Sequence, residues 1–151
     1  MFKLKIPPPI YAISLGILMW LLNQYVPVSH WISSPWNRAG LILIVIAFSF
    51  DLWSLLLFFR SKTTPNPMKP DNSNKIVTAG LYQFSRNPMY VGLLTALLGY
   101  AICLGGMTPF LLLPLFVFLI TTQQIIPEEI ALERKFGREY LEYKKTVRRW
   151  L

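Results

Sequence analysis

One cysteine, one histidine and seven acidic residues are all that this 151-residue sequence holds of those types. A single cysteine excludes a disulfide within the chain, and a single histidine excludes any site that needs two imidazoles. A Ser-His-Asp hydrolase would have to use His30, and no Gly-x-Ser-x-Gly motif accompanies it. Neither Gly-x-Gly-x-x-Gly nor a P-loop pattern occurs, so the two common soluble nucleotide cradles are absent. Charge of either sign is missing over long stretches. There is none between Lys5 and Arg38, only Asp51 from Ala39 to Phe59, and none in the 41 residues from Asn87 to Pro127.

Apolar residues fill those stretches, at 54% of the chain with 15% aromatic. Such a composition is too apolar for an ordinary soluble domain of this size and points to membrane insertion. A helix rises about 1.5 Å per residue and the hydrocarbon core is about 30 Å thick, so one crossing takes ~20 residues. The last charge-free run therefore holds two crossings, with a turn at Gly105-Gly106-Met107-Thr108-Pro109. The chain reads as an all-α membrane protein with four transmembrane helices, at about Pro9–Val26, Ala39–Phe59, Pro88–Leu104 and Pro109–Ile126. A C-terminal amphipathic cytoplasmic helix completes it, and residues 1–151 form one domain. Lys3 and Lys5 before the first run could suggest a signal peptide. That run ends in Asn23-Gln24-Tyr25-Val26-Pro27 without a good small-x-small site, which favours an uncleaved helix.

Lysine and arginine set the orientation. They cluster at the N-terminus, in the connection containing Arg60, Lys62, Lys69, Lys75 and Arg86, and in the tail from Arg134 to Arg149. Both termini and the long middle loop are thus expected on the cytoplasmic side of the cell (inner) membrane of a multi-pass protein. The net charge of +8 then follows from topology and contact with anionic lipid, with no nucleic-acid partner needed.

Four features carry possible chemistry. Asp51 lies inside a span, where a carboxyl either hydrogen-bonds a neighbouring helix or serves function. Asn87 before Pro88 has N-cap geometry, with Pro88 as first helical residue; this places a positive helix end beside Arg86, suited to phosphate or carboxylate or simply to a capped span. Glu128-Glu129 follows the fourth span and could hold an amine or ribose hydroxyls, or compensate the helix dipole after Pro127. Leu132, Phe136, Tyr140, Tyr143, Val147 and Trp150 share one face of a tail helix that would lie on lipid or on the bundle. Gly137 within it costs about 1 kcal/mol against alanine. The loop from Ser61 to Arg86 opens on Thr64-Pro65-Asn66-Pro67-Met68-Lys69-Pro70, which cannot be helical throughout.

In order, Asn74-Lys75-Ile76-Val77-Thr78-Ala79-Gly80-Leu81-Tyr82, Arg86-Asn87-Pro88-Met89-Tyr90-Val91-Gly92 and Glu128-Glu129-Ile130-Ala131-Leu132 with Phe136–Lys145 resemble the isoprenylcysteine carboxyl methyltransferases. These are membrane enzymes that use S-adenosyl-L-methionine, and the phospholipid methyltransferases share the Pro-x-Tyr and paired-Glu motifs. The resemblance covers about residues 74–150 and implies a cofactor site of Lys75, Ile76, Val77, Tyr82, Asn87, Pro88, Met89, Tyr90 and Glu128. Arg86, Asn87 and Glu129 are the candidates for a catalytic part and Gln124 for substrate contact; no metal is implied. Two departures bear on the acceptor, a lipophilic small molecule or lipid. Asn87 replaces the motif histidine and cannot titrate. Gln124 stands where the prenylcysteine enzymes have an arginine suited to a substrate carboxylate, which leaves a lipid amine open. A sterol-reductase-like enzyme using NADPH, and a non-catalytic scaffold or carrier, are the alternatives.

Overall fold

The computed structural model describes residues 6–60 and 76–151, and helices dominate them. Six are α-helices: α1 Pro8–Tyr25, α2 Ala39–Arg60, α3 Pro88–Leu104, α4 Leu112–Ile120, α5 Ile126–Phe136 and α6 Arg138–Thr146. Single helical turns at Trp36–Arg38, Gly80–Gln83 and Thr108–Leu111 and a π-helical turn at Thr121–Ile125 connect them. Prolines at the starts of α1 and α3 sit where the backbone N–H would be unpaired in any case. α3 stops at Gly105, whose φ of +74° lets its N–H close on the Ala101 carbonyl. The expected turn between the third and fourth runs is there, and the connection after α1 laces onto it. Met107 N–H donates to the Ser29 carbonyl, and Trp31 and Ile32 N–H both donate to that of Gly105.

Among the described residues two helices are long and apolar enough to cross a membrane, Trp36–Leu57 and Thr108–Phe136, and Pro88–Leu104 is a shorter apolar helix. α2 turns Leu41, Ile42, Val45, Phe48, Leu52 and Trp53 outward, an apolar surface far larger than a water-facing helix carries.

α2 and α3 form the tightest pair, and small residues are the reason. A β-carbon at Gly40 would overlap the Gly99 carbonyl, and one at Gly99 would crowd Ile44 of α2. Close backbone approach through small residues is how helices associate where no hydrophobic force drives them together. The seam continues through fully buried Ala47 to Asp51, which lies against Gly92 of α3. On the other side of α3, Leu15, Met19, Leu97, Leu112, Phe116 and Ile120 make the apolar core.

Two expectations are corrected. The fourth apolar run does not end where the tail begins, because one continuous helix runs from Thr108 to Phe136. Pro127 cannot donate to the preceding turn, and the wider π turn at Thr121–Ile125 lies just before it. The tail is also not a single helix. Gly137, at φ +54° and ψ −120°, separates α5 from α6, so Leu132 and Trp150 do not share one straight face. The proline-rich stretch 64–70 lies outside the described residues.

Candidate active site

The turn at Gly80–Gln83, the start of α3, the start of α5 and the segment after α6 converge at one end of the bundle. Each brings polar groups that the intervening apolar helices cannot supply. Ile76 and Val77 are buried as the middle loop re-enters, and Tyr82 and Tyr90 are 6% and 7% exposed. Tyr90, in the first turn of α3, donates its hydroxyl to Glu128 Oε1 at 2.6 Å.

Glu129, the adjacent residue, has an entirely different environment. It is 5% exposed. Arg149 Nε and Nη2 donate to its two oxygens at 2.9 and 2.8 Å, and Arg86 Nη2 lies 3.0 Å from Oε1. Lys144 stands 3.8 Å away and also pairs with Glu133. In return, this pairing and hydrogen bonding hold Arg149 more firmly protonated than a free arginine. Glu129 is therefore the anchor of the tail, while Glu128 alone faces Tyr90.

The tail closes on the Arg86-Asn87 motif through backbone as well. Arg86 N–H donates to the Arg148 carbonyl at 2.9 Å, and Asn87 Nδ2 donates to that of Arg149 at 2.9 Å. This corrects the expected capping role of Asn87: it occupies the N-cap position, yet its side chain makes no cap hydrogen bond. Its amide belongs to the tail. Ser85 Oγ accepts from Asn87 N–H at 3.1 Å and fixes the approach to α3. On the far side, Tyr143 donates to the Tyr82 carbonyl at 2.7 Å and Trp150 Nε1 to Thr121 Oγ1 at 3.2 Å. The amphipathic tail thus packs on the bundle through buried Tyr140 and through Tyr143.

Burial holds the hydroxyls of Tyr82, Tyr140 and Tyr143 above the usual tyrosine range. At Tyr82 the neighbouring Tyr143 hydroxyl and the carboxyl groups of Glu128 and Asp51 add to that effect. All three tyrosines keep their protons at neutral pH. Arg86 keeps two buried nitrogens, Nε and Nη1, without a hydrogen-bond partner among the described residues.

Of the residues singled out in the sequence, Ile76, Val77, Tyr82, Arg86, Asn87, Pro88, Tyr90, Glu128 and Glu129 lie in or against this region, and Met89 is in the first turn of α3. Lys75 lies outside the described residues. Gln124 is fully buried but turned to the first segment, where its amide donates to the Ile6 carbonyl. Sequence reasoning missed Ser85, and gave Arg149 only as a tail charge and Trp150 only as a residue of the tail's apolar face, with no place in the site for either. Arg149 gave no local signal, since its partner is twenty residues away across two helix breaks. Beside the region, an apolar groove of about 620 Å³ runs between α3 and α4, lined by Leu94, Leu98, Leu113, Pro114, Val117 and Thr121.

The sequence profile of the phospholipid methyltransferases matches residues 36–139. Protein-S-isoprenylcysteine O-methyltransferase B of Arabidopsis thaliana is 29% identical over 119 residues, 78% of this chain and 58% of that protein. The protein-S-isoprenylcysteine O-methyltransferase of Schizosaccharomyces pombe is 35% identical over 79 residues, 52% of this chain and 34% of that one. An uncharacterised Haemophilus influenzae protein is 46% identical over its whole length, which corresponds to 42% of this chain. The chain thus spans well under two thirds of the plant and yeast methyltransferases. No solved structure matches it significantly. With a matched region that holds α2, α3, Glu128 and Glu129, the chain belongs to the phospholipid methyltransferase family.

Proposed function

We propose that this protein transfers a methyl group from S-adenosyl-L-methionine to a small lipophilic acceptor at the cytoplasmic surface of the cell membrane. The observation that carries the reading is the pair of buried Arg86 nitrogens, without a hydrogen-bond partner among the described residues, just before the N-terminus of α3, together with the Glu128 carboxyl held by Tyr90 in the first turn of that helix. An anion seat and a carboxyl in one site suit the carboxylate and the amine of an amino-acid-bearing cofactor. Arg86, Asn87, Pro88, Met89 and Tyr90 would hold the carboxylate end. Glu128 would take the amine or a ribose hydroxyl, and Tyr82 with the 75–77 backbone would wall the remainder.

Bound there, the sulfonium supplies the reactive methyl, so the protein needs no side-chain nucleophile. Its own part is alignment and the exclusion of water, which the buried tyrosines and the returning tail provide. Glu129 contributes by fixing Arg86 and the tail. The groove between α3 and α4 offers the acceptor an apolar path that ends at Thr121, the partner of Trp150. Arg86 Nη2 and Arg149 are already committed to Glu129, and Gln124 brings no charge. A neutral or amine-bearing acceptor fits this better than a free carboxylate, which would need its own cation.

The same reading places four spans in the bilayer, α1, α2, α3 and the apolar part of the Thr108–Phe136 helix, with both termini cytoplasmic and residues 1–151 as one domain. Calorimetry on detergent-purified protein tests the cofactor: S-adenosylhomocysteine is expected to bind and NADPH not to, and the reverse would favour a reductase. Cysteine labelling tests the topology. In a Cys103→Ser background, Gln83→Cys is expected to resist an impermeant maleimide in intact cells and to react after lysis. Labelling in intact cells would reverse the orientation.

A further inference from the structure

The chain leaves α6 at Val147 with extended backbone, φ −120° and ψ 134°, and residues 147–151 form no helix. This strap touches three of the elements that meet at the site. Its backbone lies on the start of α3, where the Arg148 carbonyl accepts from Arg86 N–H and the Arg149 carbonyl from Asn87 Nδ2. The Arg149 side chain reaches α5, with Nε and Nη2 on the two oxygens of Glu129. Trp150 reaches the π turn, donating Nε1 to Thr121 Oγ1, and packs against the apolar core. The groups at these contacts are almost closed to water: Tyr90 is 7% exposed, and the side chains of Arg86 and Glu129 are 7% exposed each. A cofactor arriving from water reaches them only when a covering element moves. The starts of α3 and α5 belong to long apolar helices set in the bundle, and lifting either breaks core packing. The strap has no hydrogen-bond ladder of its own, and its Arg149 is already 37% exposed. Such segments open locally at a fraction of the cost of global unfolding. Nor does the strap use up what the site offers. With it in place, Arg86 Nε and Nη1 stay without a hydrogen-bond partner among the described residues.

We infer that residues 147–151 are the gate of the cofactor site, latched by Arg149 on Glu129, and that they swing off the start of α3 to let cofactor in and spent cofactor out. This rests on the methyl-transfer reading above and adds to it the moving part. The latch is separable from the site. Without the Arg149 side chain, Glu129 still faces Arg86 at 3.0 Å and Lys144 at 3.8 Å, so the buried carboxylate stays paired and Arg86 stays placed. Losing the latch raises the open fraction and leaves the seat as it was. A gate that is open more often speeds entry and exit alike, whereas a weakened wall of the site speeds exit alone.

The test follows S-adenosylhomocysteine binding to the full chain in detergent by surface plasmon resonance. Arg149→Ala is expected to raise the association and dissociation rate constants together, at least fivefold each, with Kd changed less than twofold. Arg149→Lys, which keeps the charge and loses the two-pronged geometry, should fall between wild type and Arg149→Ala. Trp150→Phe, which keeps an aromatic ring and removes the bond to Thr121, should raise both rates as well. Without any ligand, hydrogen exchange at the Arg86 amide, which the Arg148 carbonyl covers, should quicken at least fivefold in Arg149→Ala. Binding rates or Arg86 exchange left unchanged by Arg149→Ala would overturn the gate. Faster dissociation alone would make the strap a wall of the site, and faster association alone would make it an occupant of the seat; either result overturns the gate too. A wild type that binds no S-adenosylhomocysteine overturns the methyltransferase reading, and the gate with it; one that binds at rates indifferent to Arg149 overturns the gate alone.

Discussion

Glu129→Ala is expected to destabilise the protein by about 3 kcal/mol, the lower end of the range for breaking a buried ion pair. The lower end applies because Arg149 is still 37% exposed and recovers part of its hydration, whereas Arg86 at 7% does not. Arg86 would be left in the bundle with Nη2 unpaired in addition to Nε and Nη1. The tail should loosen with it, because Arg149 would then be held mainly by its carbonyl contact with Asn87. Thermal unfolding in detergent measures the first effect, and the rate of tryptic cleavage after Arg148 measures the second. Glu129→Gln should show most of both, since it keeps the shape and removes the charge. Unchanged melting and unchanged cleavage would mean that the tail is held by its tyrosines alone.

The neighbouring substitution should behave in the opposite way. Glu128→Ala is expected to leave melting nearly unchanged, because its hydrogen bond from Tyr90 is its one side-chain bond among the described residues. On the proposed reading it should weaken S-adenosylmethionine binding by about 1.5–3 kcal/mol, the scale of a hydrogen bond to a charged group. That is roughly a 10- to 150-fold rise in Kd. Tyr90→Phe should lose less, since the carboxyl remains and only its orientation is freed. Calorimetry with the folded variant decides it: unchanged affinity would remove Glu128 from the cofactor site.

That two adjacent glutamates differ so sharply could not be read from the sequence. Glu128-Glu129 offers two carboxyls after an apolar run, and local rules assign both to the helix dipole or both to a ligand. The division is made by Arg149, which reaches Glu129 only because the chain breaks at Gly137 and turns again after Thr146. The apolar helices were far more legible. Apolar runs bounded by proline, glycine or arginine mark α1, α2 and α3 to within a residue at each end, since desolvation and helix stops act locally. The cluster of Ile76, Val77, Tyr82, Tyr90 and Glu128 was legible as family motifs, and the fold supplies the reason they share one end of the bundle. Asp51 was legible as an anomaly, but its seat against Gly92 depends on the register of two helices and has no sequence signal. Asn87 was misjudged because Asn-Pro is a strong capping signal, and a backbone carbonyl 62 residues away competes for the same amide.

The π turn at Thr121–Ile125 sets an angle as well as accommodating a proline. Each residue advances a helix by about 100°, so a turn holding one residue more than its neighbours acts as a phase shifter for everything beyond it. The membrane-facing part of that long helix is indexed by its apolar contacts with α1 and α3, and the part beyond is indexed by Tyr90, Arg86 and Arg149. A uniform α-helix could satisfy one index or the other. Deleting a single residue here would keep every side chain of the carboxylate pair and swing both about a third of a revolution away from their partners. The azimuth of the site is thus written in one turn of backbone inside an apolar segment, where no functional side chain marks it.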